Sequence, residues 1–202
     1  MELKKKALAL SYFTVIYNIF EGLVSVISGM AAGSISLVGF GFDSFVESLS
    51  GGIMIWRFSG AEKLSEKEEE KIERRAEKFV AVSFFVLGAY VLYESIKKLA
   101  LHEAPGISVP GFAITILSLI IMPLLYLAKN KTGKELRSRS LIADSKETLA
   151  CTYLSGAVLI GLILNAWLHW WWADPVAGLL IVYFLVKEGI EAWNGVCECG
   201  ED

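Results

Sequence analysis

Apolar residues recur along this chain in six runs, each long enough to cross a bilayer: residues 7–30, 34–58, 79–99, 108–128, 140–164 and 174–193. A hydrocarbon core of about 30 Å needs about 20 apolar residues in a helix. The pattern therefore predicts an all-α polytopic membrane protein, six transmembrane helices in one transmembrane domain over 1–202, with no separate soluble domain. The first run follows Lys4, Lys5 and Lys6 and so resembles a signal peptide, but it continues to about Ala32 and no soluble domain follows it. A first transmembrane helix is the better reading.

The polar connections are of two kinds. Residues 31–33, 102–107 and 170–173 are short and nearly uncharged, whereas 59–78 and 129–139 are rich in charge. Lys and Arg collect on the side of the second kind: Lys4 to Lys6, Arg57, Lys63, Lys67, Lys71, Arg74, Arg75, Lys78, Lys129, Lys131, Lys134, Arg137 and Arg139. An excess of Lys and Arg marks cytoplasmic loops. With an even number of spans, the expectation is a multi-pass protein of the cell membrane with both termini cytoplasmic. Trp170, Trp171 and Trp172 fall where an outer aromatic belt would sit, with His102 and His169 beside that interface. The charged stretch 62–78 places opposite charges at helical spacing, as in Glu70 and Arg74, Lys63 and Glu66, Lys67 and Glu70, or Glu68 and Lys71. It reads as a solvated helical extension rather than a metal-collecting loop.

Composition agrees with the hydropathy: 54% of the 202 residues are hydrophobic, and mean hydropathy is +0.53. A net charge of −3 with segregated charges argues against a nucleic-acid partner. The three cysteines, Cys151, Cys197 and Cys199, give no disulfide framework. The last two read as free thiols, with capture of a soft metal as the alternative.

Within these runs stand carboxylates, which are expensive in hydrocarbon and mark function by default. Asp43 and Glu47, four apart, share a face of the second span; Asp144, Glu147 and Cys151 follow i, i+3, i+7 on the fifth. With about 1.5 Å of rise per residue, Asp43 lies about 13 Å deep, Glu147 about 10 Å and Cys151 about 16 Å. If the two antiparallel spans touch, Asp43 comes beside Cys151 and Glu47 beside Glu147. That arrangement makes a four-ligand metal site of Asp43, Glu47, Glu147 and Cys151, with Asp144 as a gate or supporting residue. A divalent ion offsets the repulsion among the carboxylates, and its entry releases protons, so metal and proton compete for one site. A hydrogen-bonded cluster of protonated carboxyls is the alternative. Asn18 reads as interhelical glue. Glu21 and Glu94 read as residues near an interface or a vestibule, and with Asn18 and Asp144 they are the candidates for supporting or gating the site; Lys146 reads as a side chain that snorkels toward the cytoplasm.

The same residues resemble the cation diffusion facilitator, or cation efflux, family. The resemblance is carried by Tyr17-Asn18-Ile19-Phe20-Glu21-Gly22 in the first span and Gly33-Ser34-Ile35-Ser36-Leu37 followed by Asp43 and Glu47 in the second. Leu92-Tyr93-Glu94-Ser95-Ile96, Ala143-Asp144 with Glu147 and Cys151, and Asp174-Pro175 with Gly178 extend it through the third, fifth and sixth. Glu147 stands where that family usually has His, and Cys151 where it usually has Asp.

The resemblance implies a transporter rather than an enzyme, moving a divalent transition-metal ion outward in exchange for protons. Oxygen ligands suit Mn²⁺ or Fe²⁺, and a thiolate suits Zn²⁺ or Cd²⁺; the mixed site favours Zn²⁺. The family's C-terminal cytoplasmic domain, which supports dimerisation, does not follow the sixth run, so a homodimer stays open. The rival reading is a non-transporting membrane subunit or metal sensor that keeps the fold.

Overall fold

The computed structural model describes residues 2–60 and 66–194, without the side chains of 60, 66–73, 76, 77, 79, 80 and 139. They form six helices: α1 (Glu2–Ala32), α2 (Ile35–Gly60), α3 (Glu66–Leu101), α4 (Val109–Leu136), α5 (Arg139–Leu168) and α6 (Ala173–Asn194). Among them Glu2–Ala32, Val109–Leu136 and Ser140–Leu168 are by length and composition apolar enough to cross a membrane. α2 and α6 interrupt their apolar runs with Asp43, Glu47, Lys187 and Glu188. Lipid-facing side chains such as Ile16, Ile27, Val86, Leu124 and Tyr183 are exposed, while the core gathers Phe40, Met122, Leu154, Val158, Ile181 and Leu185. An apolar exterior of this extent belongs in lipid, where helices satisfy their own backbone hydrogen bonds.

The strongest pairings are α1 with α2, α4 with α5, and α3 with α6; α2 also touches α3, α5 and α6. Two tight corners organise the bundle. Gly33 turns left-handed after α1 (φ 65°) and Ser34 N–H bonds back to Gly29 O at 2.9 Å. Arg137 does the same after α4 (φ 52°), with Ser138 N–H to Gly133 O at 2.9 Å. Each serine then caps the next helix: Ser34 Oγ accepts from Leu37 N–H at 3.2 Å, and Ser138 Oγ from Leu141 N–H at 3.4 Å. A Cβ on Gly29 would meet Val38, and one on Gly133 would meet Ile142, each at 2.9 Å.

These corners sit at opposite ends. The first lies beside the α3–α4 loop, where Gly106 N–H donates to Ala32 O at 2.7 Å. The second lies near Arg57 of α2, whose guanidinium donates to Ser140 Oγ at 2.9 Å. The α1–α2 and α4–α5 hairpins are therefore inverted repeats, an arrangement that in transporters puts the binding site at the midplane between the halves. Counted from each capping serine, Asp43 and Glu47 on α2 take the places of Glu147 and Cys151 on α5.

The N-terminus of α2 is closed by a residue from α6. Asp174 is fully buried and accepts from Ile35 N–H at 2.9 Å and from the hydroxyls of Ser34 and Ser36. A carboxylate at a helix N-terminus is favoured by the orphan N–H groups there. At the other end, helix α3 extends over 66–78. Arg74 donates to Trp193 O at 2.7 Å, and Lys78 Nζ stands 5.8 Å from the Trp193 ring. Each ion pair expected over 62–78 includes a side chain that is not described, and Cys197 and Cys199 lie outside the described residues.

Candidate metal site

Asp43 and Glu47 leave α2 on one face and meet Glu147 of α5 around a small cavity of about 20 Å³, which Phe84, Ala150, Leu154, Phe184 and Glu188 complete. That volume is enough for one water-sized occupant. Asp43 and Glu47 are buried and Glu147 half-buried. Glu47 Oε1 accepts from the Thr148 hydroxyl at 2.7 Å, whereas Glu47 Oε2 and Glu147 Oε2 are buried without a hydrogen-bond partner. A carboxylate oxygen stripped of water and left unpaired is costly, so its retention points to a ligand. The side chains line the cavity without closing on one point: among the described residues no three of His, Cys, Asp and Glu are arranged to hold an ion.

Two expected positions differ in surroundings. Cys151 is buried, but it is not among the residues lining the cavity; its sulfur lies 4.0 Å from Glu21 Oε2. Four residues advance a helix by about 40° beyond a full turn, so from Glu147 to Cys151 the side chain swings from the cavity toward α1. Glu21, expected near an interface or a vestibule or as a supporting residue, is fully buried beside the site, accepting from Tyr17 Oη at 3.2 Å and from Ser44 Oγ at 2.9 Å. Tyr17, Glu21, Ser44 and Cys151 thus form a second polar layer beside the cavity.

Asp144 is held by a residue assigned above to the cytoplasmic flank. Lys129 is fully buried, with Nζ 2.8 Å from Asp144 Oδ2 and 2.9 Å from Thr148 Oγ1. The assignment fails because α4 continues to Leu136, which carries Lys129 inside the helix rather than into a loop. Its ammonium neutralises Asp144 and, through Thr148, orients Glu47. Asn18 is buried with neither amide atom bonded, so the interhelical glue expected of it is not formed among the described residues. Glu94 pairs with Lys97 at 3.2 Å on a partly exposed face of α3 and does not line the cavity. Lys146 is exposed, consistent with snorkelling.

Sequence reasoning passed over Glu188, because charge near the end of the sixth run reads as interfacial. A signal existed: Glu188 follows Ile181 and Phe184 at i+7 and i+4, the inward stripe of α6.

The structure is thus a helical bundle with a carboxylate-lined cavity where α2 and α5 meet α3 and α6. Residues 11–193 match the model of the cation efflux transmembrane domain, and the chain belongs to that family. Among relatives, it is 26% identical over 193 residues to Transmembrane protein 163 of Xenopus laevis, covering 93% of this chain and 66% of that protein. It is 23% identical over 172 residues to a cation-efflux pump of Shewanella oneidensis, covering 83% and 58%. With a cadmium, cobalt and zinc/H⁺-K⁺ antiporter of Bacillus subtilis it shares 22% identity over 191 residues, covering 92% and 60%. The chain thus spans less than two thirds of the length of these relatives.

Proposed function

We propose that this protein moves a divalent metal cation across the membrane, exporting it in exchange for protons, with Asp43, Glu47 and Glu147 as the residues that receive the cation. The observation that carries this reading is the pair of unpartnered buried oxygens, Glu47 Oε2 and Glu147 Oε2, on a cavity they share with Asp43. In hydrocarbon such oxygens either hold protons or bind a cation, and alternation between those two states couples one flux to the other. The names of the Shewanella and Bacillus relatives support metal transport, and the inverted hairpins support access from both sides in turn. An assignment to Zn²⁺ rests on Cys151 joining the ligands, and the direction of transport rests on placing the basic side in the cytoplasm.

The test is metal uptake into proteoliposomes with internal pH recorded, for wild type, Asp43→Asn and Glu147→Gln. Wild type is expected to couple metal entry to a pH change, and both variants to lose it. Metal binding without flux in the wild type favours a non-transporting member that retains the fold.

A further inference from the structure

The cavity has a fourth carboxylate that belongs to neither acidic motif. Glu188 comes from α6, and its place is set by how α6 seats on α3. A Cβ on Gly189 would lie 2.9 Å from Phe85 and 3.3 Å from Phe84. The two helices therefore approach closely at the turn that carries Glu188, and this brings Glu188 and Phe84 to one cavity wall. The neighbouring cations, Lys187 and Lys146, are both exposed; each acts on Glu188 electrostatically, and Lys187 also pairs with Glu191 at 3.5 Å. Cys151, the sulfur expected to complete the ligand set, does not line the cavity; it stands behind Glu47, between that carboxylate and Glu21. Lys129, the buried cation, pairs directly with Asp144 and offsets the charge of Glu47 and Glu147 only in part, without lining the cavity. What remains on the cavity is Asp43, Glu47, Glu147 and Glu188, all oxygen donors, with oxygens of Glu47 and Glu147 lacking any partner.

We propose that Glu188 completes the site in place of Cys151, and that the cargo is accordingly a hard, oxygen-preferring divalent cation of the Mn²⁺ type. This deepens the transport reading and rests on it for the word cargo, but the ligand set is testable by binding alone. Carboxylates suit Mn²⁺, and removing sulfur removes the donor that would reward a soft ion such as Cd²⁺. Three helices rather than two then hold the ion.

The experiment is a Mn²⁺ titration of the purified full chain in detergent, read by loss of the free-Mn²⁺ electron paramagnetic resonance signal. The variants are Glu188→Gln, Glu188→Asp and Cys151→Ser. Glu188→Gln is expected to weaken Mn²⁺ binding by roughly tenfold or more, since even a residue that only supports a ligand typically costs that much. Glu188→Asp is expected to restore part of the loss, which a merely structural role would not do, and Cys151→Ser to weaken binding clearly less than Glu188→Gln does. Cd²⁺ added to the wild type is expected to show no sulfur-to-metal charge-transfer band from Cys151. An unchanged affinity in Glu188→Gln, a Cys151→Ser loss as large as that expected of Glu188→Gln, a Cys151-dependent Cd²⁺ band, or no Mn²⁺ binding at all overturns the proposal. Flux that survives Glu188→Gln but fails in Cys151→Ser sinks this ligand set and leaves transport standing. The expected binding pattern without flux does the reverse.

Discussion

Replacing Lys129 by Met tests how the interior of this bundle is balanced. The Lys129 side chain is 0% exposed and that of Asp144 1%, and their charged atoms stand 2.8 Å apart. Removing the ammonium alone leaves the Asp144 carboxylate with only the Ser50 hydroxyl, at 3.3 Å, of the bonds described for its side chain. It also strips Thr148 of its donor. Breaking a buried pair by deleting one partner costs about 3–5 kcal/mol, because an uncompensated charge stays behind. Replacing both partners is nearly neutral, so Lys129→Met combined with Asp144→Asn should return to within about 1–2 kcal/mol of the wild type. The assay is denaturation in mixed detergent micelles, followed by tryptophan fluorescence and helical circular dichroism. A single variant within about 1 kcal/mol of the wild type, or a double variant as unstable as the single one, would refute the reasoning.

Four other substitutions probe separate parts of the fold. Asp174→Ala should cost about 3 kcal/mol, because the Ile35 N–H and two serine hydroxyls lose a charged acceptor in a buried site; thermal unfolding in detergent measures it. Gly41→Ala places a Cβ within 2.9 Å of Gly22 O and Ser25 Cβ on α1 and should cost about 1–3 kcal/mol. Gly52→Ala meets nothing within 4 Å and should be neutral or gain up to about 1 kcal/mol of helix propensity in the same melt. Glu94→Gln removes a partly exposed ion pair and should change stability by less than about 1 kcal/mol while leaving metal flux intact.

The six helices were legible because lipid imposes a length and an apolar composition on each span, and Asp43, Glu47 and Glu147 stood out as carboxylates in hydrocarbon. Their meeting at one cavity follows from geometry also written in the chain. Ser34 and Ser138 start antiparallel helices from opposite ends, and Asp43 and Glu147 stand equally far along each. The repeat itself was visible in Gly29 to Leu37 against Gly133 to Leu141, but the shared residues are few and small.

Lys129 was misjudged because a lysine at the end of an apolar run looks the same whether the helix stops there or goes on. Only packing against α5 distinguishes a flanking charge from the partner of Asp144. Cys151 was turned off the cavity wall by helical rotation. An i, i+4 relation fixes a face only to within about 40°, which suffices to move a side chain from one interhelical cleft to the next.

The account stands most directly on coupled flux through the cavity between α2 and α5. Proteoliposomes carrying the full chain, with a pH dye inside and Mn²⁺ or Zn²⁺ added outside, measure it in one trace. A pH change that follows metal entry in the wild type and vanishes in both Asp43→Asn and Glu147→Gln is the predicted result. Metal entry that persists unchanged in both variants would contradict it.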